Sequence, residues 1–345
     1  MVSVNEASEY SLYRLLRSRL GDYVDLSEIE AATGVGNSRA FDLIALLTRL
    51  GAPIETHPIL GYRLTDVPGP MLAAEIFFEL ETSWCGRDLQ VEDTVSSTND
   101  TARRRALDGA PEGAVVVAET QTAGRGRRGR EWWQSPRGED LLFSLILRPP
   151  PSYLETGFLT ILLGSAIARS IRLQCGVPLF MKWPNDLVVK EKNHGLRKLG
   201  GILCERTPES SLIAGVGLNV NQVSFPPELR SSATSIRIET KSEANRCLLL
   251  KRILAEIERD YQCAGSGGEG LILDQARSLS ATLGHDIEIE TEVGLLRGLA
   301  LDLDADGALL LQEVDSDSAQ GRSDPIRVTA GDVVSARPRS PELDG

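Results

Sequence analysis

The 345-residue sequence is poor in the residues that build disulfide frameworks and metal knots. It contains five cysteines, an odd number, with no C-x-x-C pair, and its three histidines do not stand at zinc-ligand spacing from them. This cysteine usage is typical of reduced thiols in an intracellular protein. The sequence therefore argues against a disulfide-stabilised fold and against a cysteine–histidine metal centre.

Long apolar runs and targeting segments are also missing. The longest apolar stretch, residues 158–168, has 11 residues and includes Thr, Gly and Ser, so it predicts a buried helix rather than a membrane span. The amino terminus, MVSVNEASEYS, is polar and acidic, unlike a signal peptide. We therefore expect a cytoplasmic protein with no membrane partner.

Several common catalytic signatures are absent. The sequence has no G-x-x-x-x-G-K phosphate loop, no G-x-S-x-G elbow and no H-E-x-x-H helix. Its 37 basic and 49 acidic residues give a net charge of −12, which argues against a general binder of nucleic acid or anionic membranes. The composition, 41% hydrophobic and 25% charged, is typical of a globular protein, and the length suits about two or three domains.

Residues 1–66 have a helix-rich pattern that ends in two short strand-like runs. Asn37 and Ser38 offer N-caps for the third helix. Three helices followed by a hairpin is the order of a winged helix-turn-helix, with residues 37–50 in the recognition position and Ser38 and Arg39 as candidate DNA contacts. This segment has six Arg, no Lys and nine Asp or Glu, a net charge of −3, so a three-helix bundle that serves packing or dimer formation remains an alternative.

The rest of the chain divides by pattern into three parts. Residues 67–87 are predicted to be a connector with one amphipathic helix. Strands alternate with helices over 88–278, which predicts a mixed α/β domain large enough for catalysis. Several short strands, with an Asp306-Gly307 hairpin signal, predict a small closed, SH3-like β-barrel over 279–345. The fold class as a whole is predicted to be α+β.

The clearest candidate site is the sequence Gly-Arg-Gly-Arg-Arg-Gly-Arg at 124–130, hereafter the Gly-Arg loop. Its glycines prevent a regular helix and allow the backbone to approach a ligand closely. Its four guanidinium groups match phosphate and carboxylate oxygens. Because the loop follows an apolar strand and is flanked by Gln121 and the Trp132-Trp133 pair, we expect it to bind an anion and close over substrates. A solvated basic loop or an RNA-binding tract is the alternative.

Two lysine motifs follow. In Lys-Trp-Pro-Asn-Asp at 182–186, Trp-Pro fixes the backbone, and the following amide and carboxylate suit a ribose or a Mg²⁺ ion that phosphates also hold. The alternative is a structural turn. In Arg-Lys-Leu-Gly-Gly at 197–201, the lysine can point into a pocket while the glycines leave room for a ligand; the alternative is a surface lysine on an edge strand.

Two further segments carry small or polar residues. The glycines of Gly-Val-Gly-Leu-Asn-Val-Asn at 215–221 remove side chains from one face of a predicted strand, which is also typical of a close-packed central strand. Ser-Ser-Thr-Asn at 96–99 offers small hydrogen-bonding groups, whose commonest role is a helix N-cap.

Taken in this order, the motifs resemble those of the biotin–protein ligases. The resemblance rests on SSTND, ETQTAGRGRRGR, KWPNDLVV, RKLGGIL and GVGLNVN, is strongest over 96–221 and spans essentially the whole chain. The winged-helix pattern in front resembles the bifunctional bacterial type, which also represses biotin-synthesis genes.

This resemblance implies a two-step reaction with biotin and ATP as substrates and Mg²⁺ as cofactor. Biotin's carboxylate attacks the α-phosphate of ATP, which releases pyrophosphate and leaves biotinyl-5′-adenylate. A lysine of the biotin carboxyl carrier protein of acetyl-CoA carboxylase then attacks the anhydride, giving an amide and AMP. Both attacking groups belong to substrates, which accounts for the missing nucleophile motif. Operator DNA and a second copy of the chain are further candidate partners.

The resemblance also implies roles for individual residues. Biotin contacts are expected from Ser97, Thr98, Asn99, Gln121, Gly124, Arg125, Gly126, Arg127, Lys198, Gly200 and Gly217. ATP contacts are expected from Arg127, Arg130, Trp133, Lys182, Asn185, Asp186, Lys198 and Asn219, with Asp186 as the magnesium ligand. Arg127, Lys182 and Lys198 are the expected catalytic groups; Arg127 retains the adenylate, and substitution of Lys198 is expected to be the most damaging.

The sequence departs from the family pattern in two places. REWWQSPRGEDL at 130–141 is one residue longer than usual, with Asp140 where Asn is usual, which leaves open whether Trp132 or Trp133 packs on the ligand. In the predicted recognition helix, Asp42 and Leu43 stand where polar or basic residues are expected. Two alternative functions remain: a repressor that only senses biotin, and a lipoate or octanoyl transferase of related fold, which would lack GRGRRGR in this form.

Overall fold

The computed structural model describes residues 4–149, 156–191, 195–208, 211–313 and 324–338. The first part has the predicted order of three helices and a hairpin: α1 Val4–Ser18, α2 Leu26–Thr33 and α3 Asn37–Arg49, then β1 Ile54–His57 antiparallel to β2 Gly61–Leu64. A separate apolar core, which includes Leu12, Leu16 and Leu47, holds these elements together.

The ends of α2 and α3 show how local sequence sets these helices. Asp25 caps α2 by accepting from the Glu28 backbone N–H at 2.9 Å, and the Glu28 carboxylate accepts in return from the Asp25 N–H at 3.0 Å. The predicted N-caps of α3 are wrong. Gly36 occupies the cap position, without a side-chain bond, because Asn37 and Ser38 already have helical backbone.

The connector contains one short helix, α4 Ala73–Phe77, and two buried ion pairs fasten the region around it. Glu75 of α4 lies 3.4 Å from the Lys251 ammonium and accepts from the Tyr13 hydroxyl at 2.6 Å. Arg246 and Glu119, whose side chains are 2% and 3% exposed, form the second pair at 2.9 Å. Glu75 therefore connects α1, which carries Tyr13, with the central domain, which carries Lys251.

The central domain is built on a mixed seven-stranded sheet in the order β3-β4-β5-β9-β8-β7-β6. Its strands are β3 Leu89–Val95, β4 Val115–Gln121, β5 Asp140–Leu147, β6 Leu179–Lys182, β7 Asp186–Lys190, β8 Leu196–Arg206 and β9 Leu212–Asn219. The β3–β4 pair is parallel and the other pairs in this sheet are antiparallel. The mixed α/β architecture predicted for this part is confirmed.

The described part of the central domain also contains the helices α5 Thr98–Leu107, α6 Thr156–Cys175, α7 Ile236–Thr240, α8 Arg246–Gly265 and α9 Glu269–Ser278. Helices α5 and α6 pack on the sheet, and α8 and α9 pack against α6. Helix α6 contains the apolar stretch 158–168 and is long and apolar enough to cross a bilayer, yet 72% of its most apolar window is buried inside the protein. It is the predicted core helix.

The C-terminal part is a five-stranded antiparallel sheet in the order β13-β12-β11-β10-β14. Its strands are β10 His285–Thr291, β11 Gly294–Leu303, β12 Leu309–Glu313, β13 Ile326–Val328 and β14 Asp332–Pro338. The predicted hairpin joins β11 and β12, with Gly307 at φ 83°. Gly307 also packs against the start of α6, since a Cβ there would lie 2.6 Å from the Gly157 carbonyl carbon. Residues 314–323 and 339–345 of the predicted barrel lie outside the described residues.

Candidate active site

A cavity of about 420 Å³ lies between the central sheet and the C-terminal sheet. Most of the predicted site residues line it together: Ser97, Thr98, Asn99, Gln121, Arg125, Gly126, Arg127, Arg130, Trp133, Lys182, Asn185, Asp186, Lys198, Gly217 and Asn219. Trp132 lines it as well. Motifs that are far apart in sequence therefore meet at one place.

Two predicted contacts, Gly124 and Gly200, do not line this cavity. Gly200 is a packing position inside the sheet, because a Cβ there would lie 2.5 Å from Leu218 Cδ2 and 2.8 Å from the Gly217 carbonyl oxygen. Gly124 lies against Gln121 and Trp132, where a Cβ would come within 3.1 Å of both side chains. Both glycines therefore pack against residues that line the cavity instead of lining it themselves.

One end of the cavity is a hydrogen-bonded network built mainly from uncharged polar side chains. The side-chain oxygen of Gln121 accepts from the Thr98 backbone N–H at 2.7 Å and lies 3.0 Å from the Thr98 hydroxyl. Asn99 donates to the Glu205 carboxylate at 2.6 Å, and its own oxygen accepts from the Ser144 hydroxyl at 2.7 Å. Because Thr98 and Asn99 are both 3% exposed, this network has a fixed set of donors and acceptors.

The glycines of β9 provide the space for two of these side chains. A Cβ at Gly215 would lie 2.2 Å from the Asn99 side-chain oxygen, and a Cβ at Gly217 would lie 2.9 Å from the Trp132 ring. The glycines of β9 are therefore close-packed positions that also line the cavity, and ligand binding by this strand stays a prediction. Trp132 packs on Gly217, whereas Trp133 contacts Phe225, with ring centroids 5.5 Å apart.

The Gly-Arg loop follows β4 and includes a single 3₁₀ turn over Arg127–Gly129. Its backbone closes on itself through a bond from the Gly126 N–H to the Arg130 carbonyl at 2.7 Å. Arg125 binds both oxygens of Asp100 on α5, at 2.8 and 2.5 Å, and this hydrogen bonding lowers the pKa of Asp100. Burial lowers the pKa of Arg127, and the charge of Asp332 opposes that shift.

The opposite side of the cavity carries the two predicted lysines. The ammonium of Lys198, on β8, lies 2.5 Å from the Asp186 carboxylate. Lys182 is the register partner of Asp186 across the β6–β7 hairpin, whose turn contains a cis Trp183–Pro184 bond. Burial lowers the pKa of Lys182, and the Asp186 charge opposes this. This turn connects two paired strands, and it also places Lys182 and Asp186 at the cavity.

The acidic residues suit a magnesium ion that arrives with a nucleotide better than a resident metal. Among the described residues, no group of three or more His, Cys, Asp or Glu side chains is arranged to hold a metal. Asp186 is a single carboxylate beside Lys198. Mg²⁺ commonly binds through one or two carboxylates, phosphate oxygens and water, which this site can accommodate.

Two acidic residues of the site region were not predicted as site residues. Asp140, noted from sequence only as a departure, is 2% exposed and accepts from the Ser135 hydroxyl at 2.5 Å and from Gln222. Burial raises its pKa to about 6. Asp332, at the start of β14, lines the cavity from the C-terminal sheet.

Comparison with known proteins agrees with this geometry. Residues 91–221 match the model of the biotin/lipoate A/B protein ligase family. The chain is 35% identical over 307 residues to the bifunctional ligase/repressor BirA of Bacillus spizizenii. This alignment covers 87% of this chain and 93% of that protein. It is 33% identical over 256 residues to the biotin–[acetyl-CoA-carboxylase] ligase of Mycobacterium tuberculosis, covering 73% of this chain and 90% of that one.

A solved structure shares the fold. Biotin protein ligase from Aquifex aeolicus, in complex with biotin and ATP, matches with a TM-score of 0.62 and 26% identity, over 73% of this chain and all of that chain. A mixed sheet with a cation-lined cavity beside a Gly-Arg loop, together with these similarities, defines an ATP-dependent ligase. The chain belongs to the biotin/lipoate A/B protein ligase family and, within it, to the biotin protein ligases. The resemblance inferred from the motifs is confirmed.

Proposed function

We propose that this protein attaches biotin to one lysine of the biotin carboxyl carrier protein of acetyl-CoA carboxylase, through biotinyl-5′-adenylate. The observation that carries the proposal is the composition of this cavity. One end is lined by uncharged polar side chains around Asn99, which is itself bonded to the Glu205 carboxylate, and the other end carries Arg127, Lys182 and Lys198. Such a cavity suits a molecule with a neutral polar head and a carboxylate at its other end.

The polar end fits biotin's ureido group. That group has two N–H donors and one carbonyl acceptor, and Ser97, Thr98, Asn99 and Gln121 offer hydroxyl and amide partners at this end. Trp132 packs on Gly217 of β9 and adds an apolar ring to the cavity wall. The Lys198 ammonium lies 5.9 Å from the centroid of this ring, so an aliphatic chain packed on Trp132 would bring biotin's carboxylate toward the lysine.

The cationic end performs the work of the first step. Attack of the carboxylate on the α-phosphate brings two anions together and leaves charge on the departing pyrophosphate. Lys182, Lys198 and Arg127 place positive charge where these oxygens gather, and their fixed positions lower the barrier without reorganisation. Asn185, Asn219, Trp133, Arg130 and Asp186 also line this cavity. They would hold the nucleotide, with Arg130 at its phosphates and Asp186 as a ligand of the Mg²⁺ that accompanies ATP.

The reaction itself tests this proposal. Protein, biotin, ATP, Mg²⁺ and a carrier domain should release pyrophosphate and place biotin on one carrier lysine. Transfer of lipoate or octanoate in place of biotin would favour the related transferase. Biotin binding without pyrophosphate release would favour the repressor that only senses biotin, and both results contradict the proposal.

Arg127→Gly tests retention of the intermediate. Loss of this charge should let biotinyl-adenylate escape, so that lysines of an unrelated bystander protein become labelled. Arg137→Gly is the matched control, since Arg137 pairs with Asp93 on the surface. Equal bystander labelling by wild-type protein and both variants would contradict the retaining role.

We also propose that the N-terminal part, 1–66, is a winged helix-turn-helix that binds operator DNA as a homodimer. Helix α3 exposes Ser38 and Arg39 near its start, although Arg39 lies 3.8 Å from the Asp42 carboxylate. The relative from Bacillus spizizenii is named a ligase/repressor. A gel shift with biotin-operon DNA should appear with biotin and ATP and weaken in Arg39→Ala; no shift under any condition would refute this role.

The domain limits belong to the same proposal: a connector over 67–87, a catalytic domain over 88–278 and an SH3-like β-barrel over 279–345. The short connector helix and the C-terminal five-stranded sheet support these limits. We place the protein in the cytoplasm, where its ATP and carrier substrates are found.

A further inference from the structure

The C-terminal sheet contacts the Gly-Arg loop mainly through one carboxylate. Asp332 is the first residue of β14, and its side chain is 12% exposed. Three guanidinium groups converge on it: Arg127 at 3.0 Å, Arg130 at 2.6 Å and Arg128 at 3.4 Å. These residues are about 200 positions away in sequence, so tertiary structure alone brings them together.

Backbone acceptors of the same sheet add to this contact. Arg127 donates to the Gly331 carbonyl at 3.1 Å, and Arg128 donates to the Glu290 carbonyl at 3.1 Å. Glu290 is the register partner of Asp332 across β10 and β14, yet its own carboxylate is 60% exposed and lies 4.0 Å from Arg128. Asp332 is therefore the main anion that the C-terminal sheet presents to the loop.

We propose that Asp332 is a positioning residue, which holds the Gly-Arg loop over the cavity from the C-terminal sheet. Three neighbouring guanidinium groups repel one another, and an anion among them removes much of that repulsion. Arg125 is anchored separately by Asp100 on α5, so the two carboxylates fix the two sides of the loop. The substrate's anionic groups then meet guanidinium groups that are already near their binding positions. This inference rests on the proposed function for its catalytic consequence only.

Trypsin offers a direct readout, because it cleaves after arginine and the loop contains four. In the absence of substrates, Asp332→Asn should raise the rate of trypsin cleavage within 125–130 by about tenfold. This is the effect expected from losing one charge-assisted hydrogen bond of about 1.4 kcal/mol. Glu290→Gln, which removes a carboxylate at the directly opposed position, should leave this rate unchanged. Cleavage outside the loop, measured in the same digests, reports any general loss of folding.

Kinetics provide the second readout. Asp332→Asn should raise KM for ATP by about tenfold and leave kcat within about threefold, since saturating ATP can order the loop. Asp332→Glu, which keeps the charge and guards against a folding defect in the neutral variant, should restore most of both properties. The inference would be overturned if trypsin cleaved the loop of Asp332→Asn at the wild-type rate. It would also be overturned if Asp332→Asn lowered KM for ATP, because the Asp332 carboxylate would then compete with phosphate for the arginines.

The two proposals fail separately. If neither wild type nor Asp332→Asn releases pyrophosphate from ATP and biotin, the proposed function fails, while the trypsin comparison still decides whether Asp332 positions the loop.

Discussion

Gly215→Ala perturbs the polar end of the cavity without removing any of its functional groups. A Cβ at this position would lie 2.2 Å from the Asn99 side-chain oxygen, 2.8 Å from its carbon and 3.0 Å from its nitrogen. Asn99 is 3% exposed, so it must leave its present position and lose its bonds to Ser144 and Glu205. Losing this arrangement should cost about 2 kcal/mol, or about a 30-fold weaker Kd for biotin.

Calorimetric titration of biotin into the folded variant measures this change. Gly265→Ala is the matched control, because a Cβ there has no neighbour within 4 Å. A double-mutant cycle identifies the cause: in an Asn99→Ala background, the added Gly215→Ala should cost little, since the clash has been removed. An unchanged biotin Kd in Gly215→Ala would refute the assignment of Asn99 to biotin.

Three further predictions address charge. Lys198→Met should slow pyrophosphate release by about 100-fold or more, because the charge near the α-phosphate is lost, whereas Lys190→Met, on the neighbouring strand, should not. Asp140→Asn should stabilise the protein at neutral pH. Burial raises the Asp140 pKa from 3.8 to about 6, so the folded protein binds this proton more tightly than the unfolded chain does. The free energy of unfolding of the wild type should therefore fall by up to about 3 kcal/mol as pH rises from about 4 to about 6. Arg246→Met should lower the free energy of unfolding by about 3–5 kcal/mol, because it leaves the Glu119 carboxylate buried without its partner.

Kinetics and urea unfolding measure these effects. Equal pyrophosphate release by the two lysine variants would contradict the role of Lys198. The stability difference between Asp140→Asn and wild type should grow between pH 4 and 6 and then level off, and a constant difference would contradict the raised pKa. If Arg246→Met lowered the free energy of unfolding by less than about 1 kcal/mol, the Arg246–Glu119 pair would contribute no more than a surface ion pair.

The alternation of strands and helices predicted over 88–278 is found in the central domain, because most strands of its sheet have largely apolar sequences. All eight residues of β5 are buried, and an apolar run of this short length is typical of a buried strand. The edge strand β3 was not predicted, since Glu92, Asp93 and Thr94 interrupt its apolar pattern. A half-exposed edge strand keeps polar residues that make it resemble a loop.

The site was predictable where its residues form dense motifs. Arg127, Lys198 and Gly217 stand among glycines or charges that are unusual for a strand or loop. Ser144 and Asp332 lie in ordinary strand sequences, and their roles come from partners about 45 and 200 positions away. No local pattern encodes such contacts, and the folded structure was required to find them.

Pyrophosphate release in the absence of the carrier tests the central claim most directly. If the cavity joins biotin to AMP and retains the product, one turnover with biotin, ATP and Mg²⁺ should release one equivalent of pyrophosphate per protein chain and then stop. Adding the carrier should then yield AMP and biotinylated carrier without further ATP. Pyrophosphate that appears only after the carrier is added would contradict an adenylate held in this cavity.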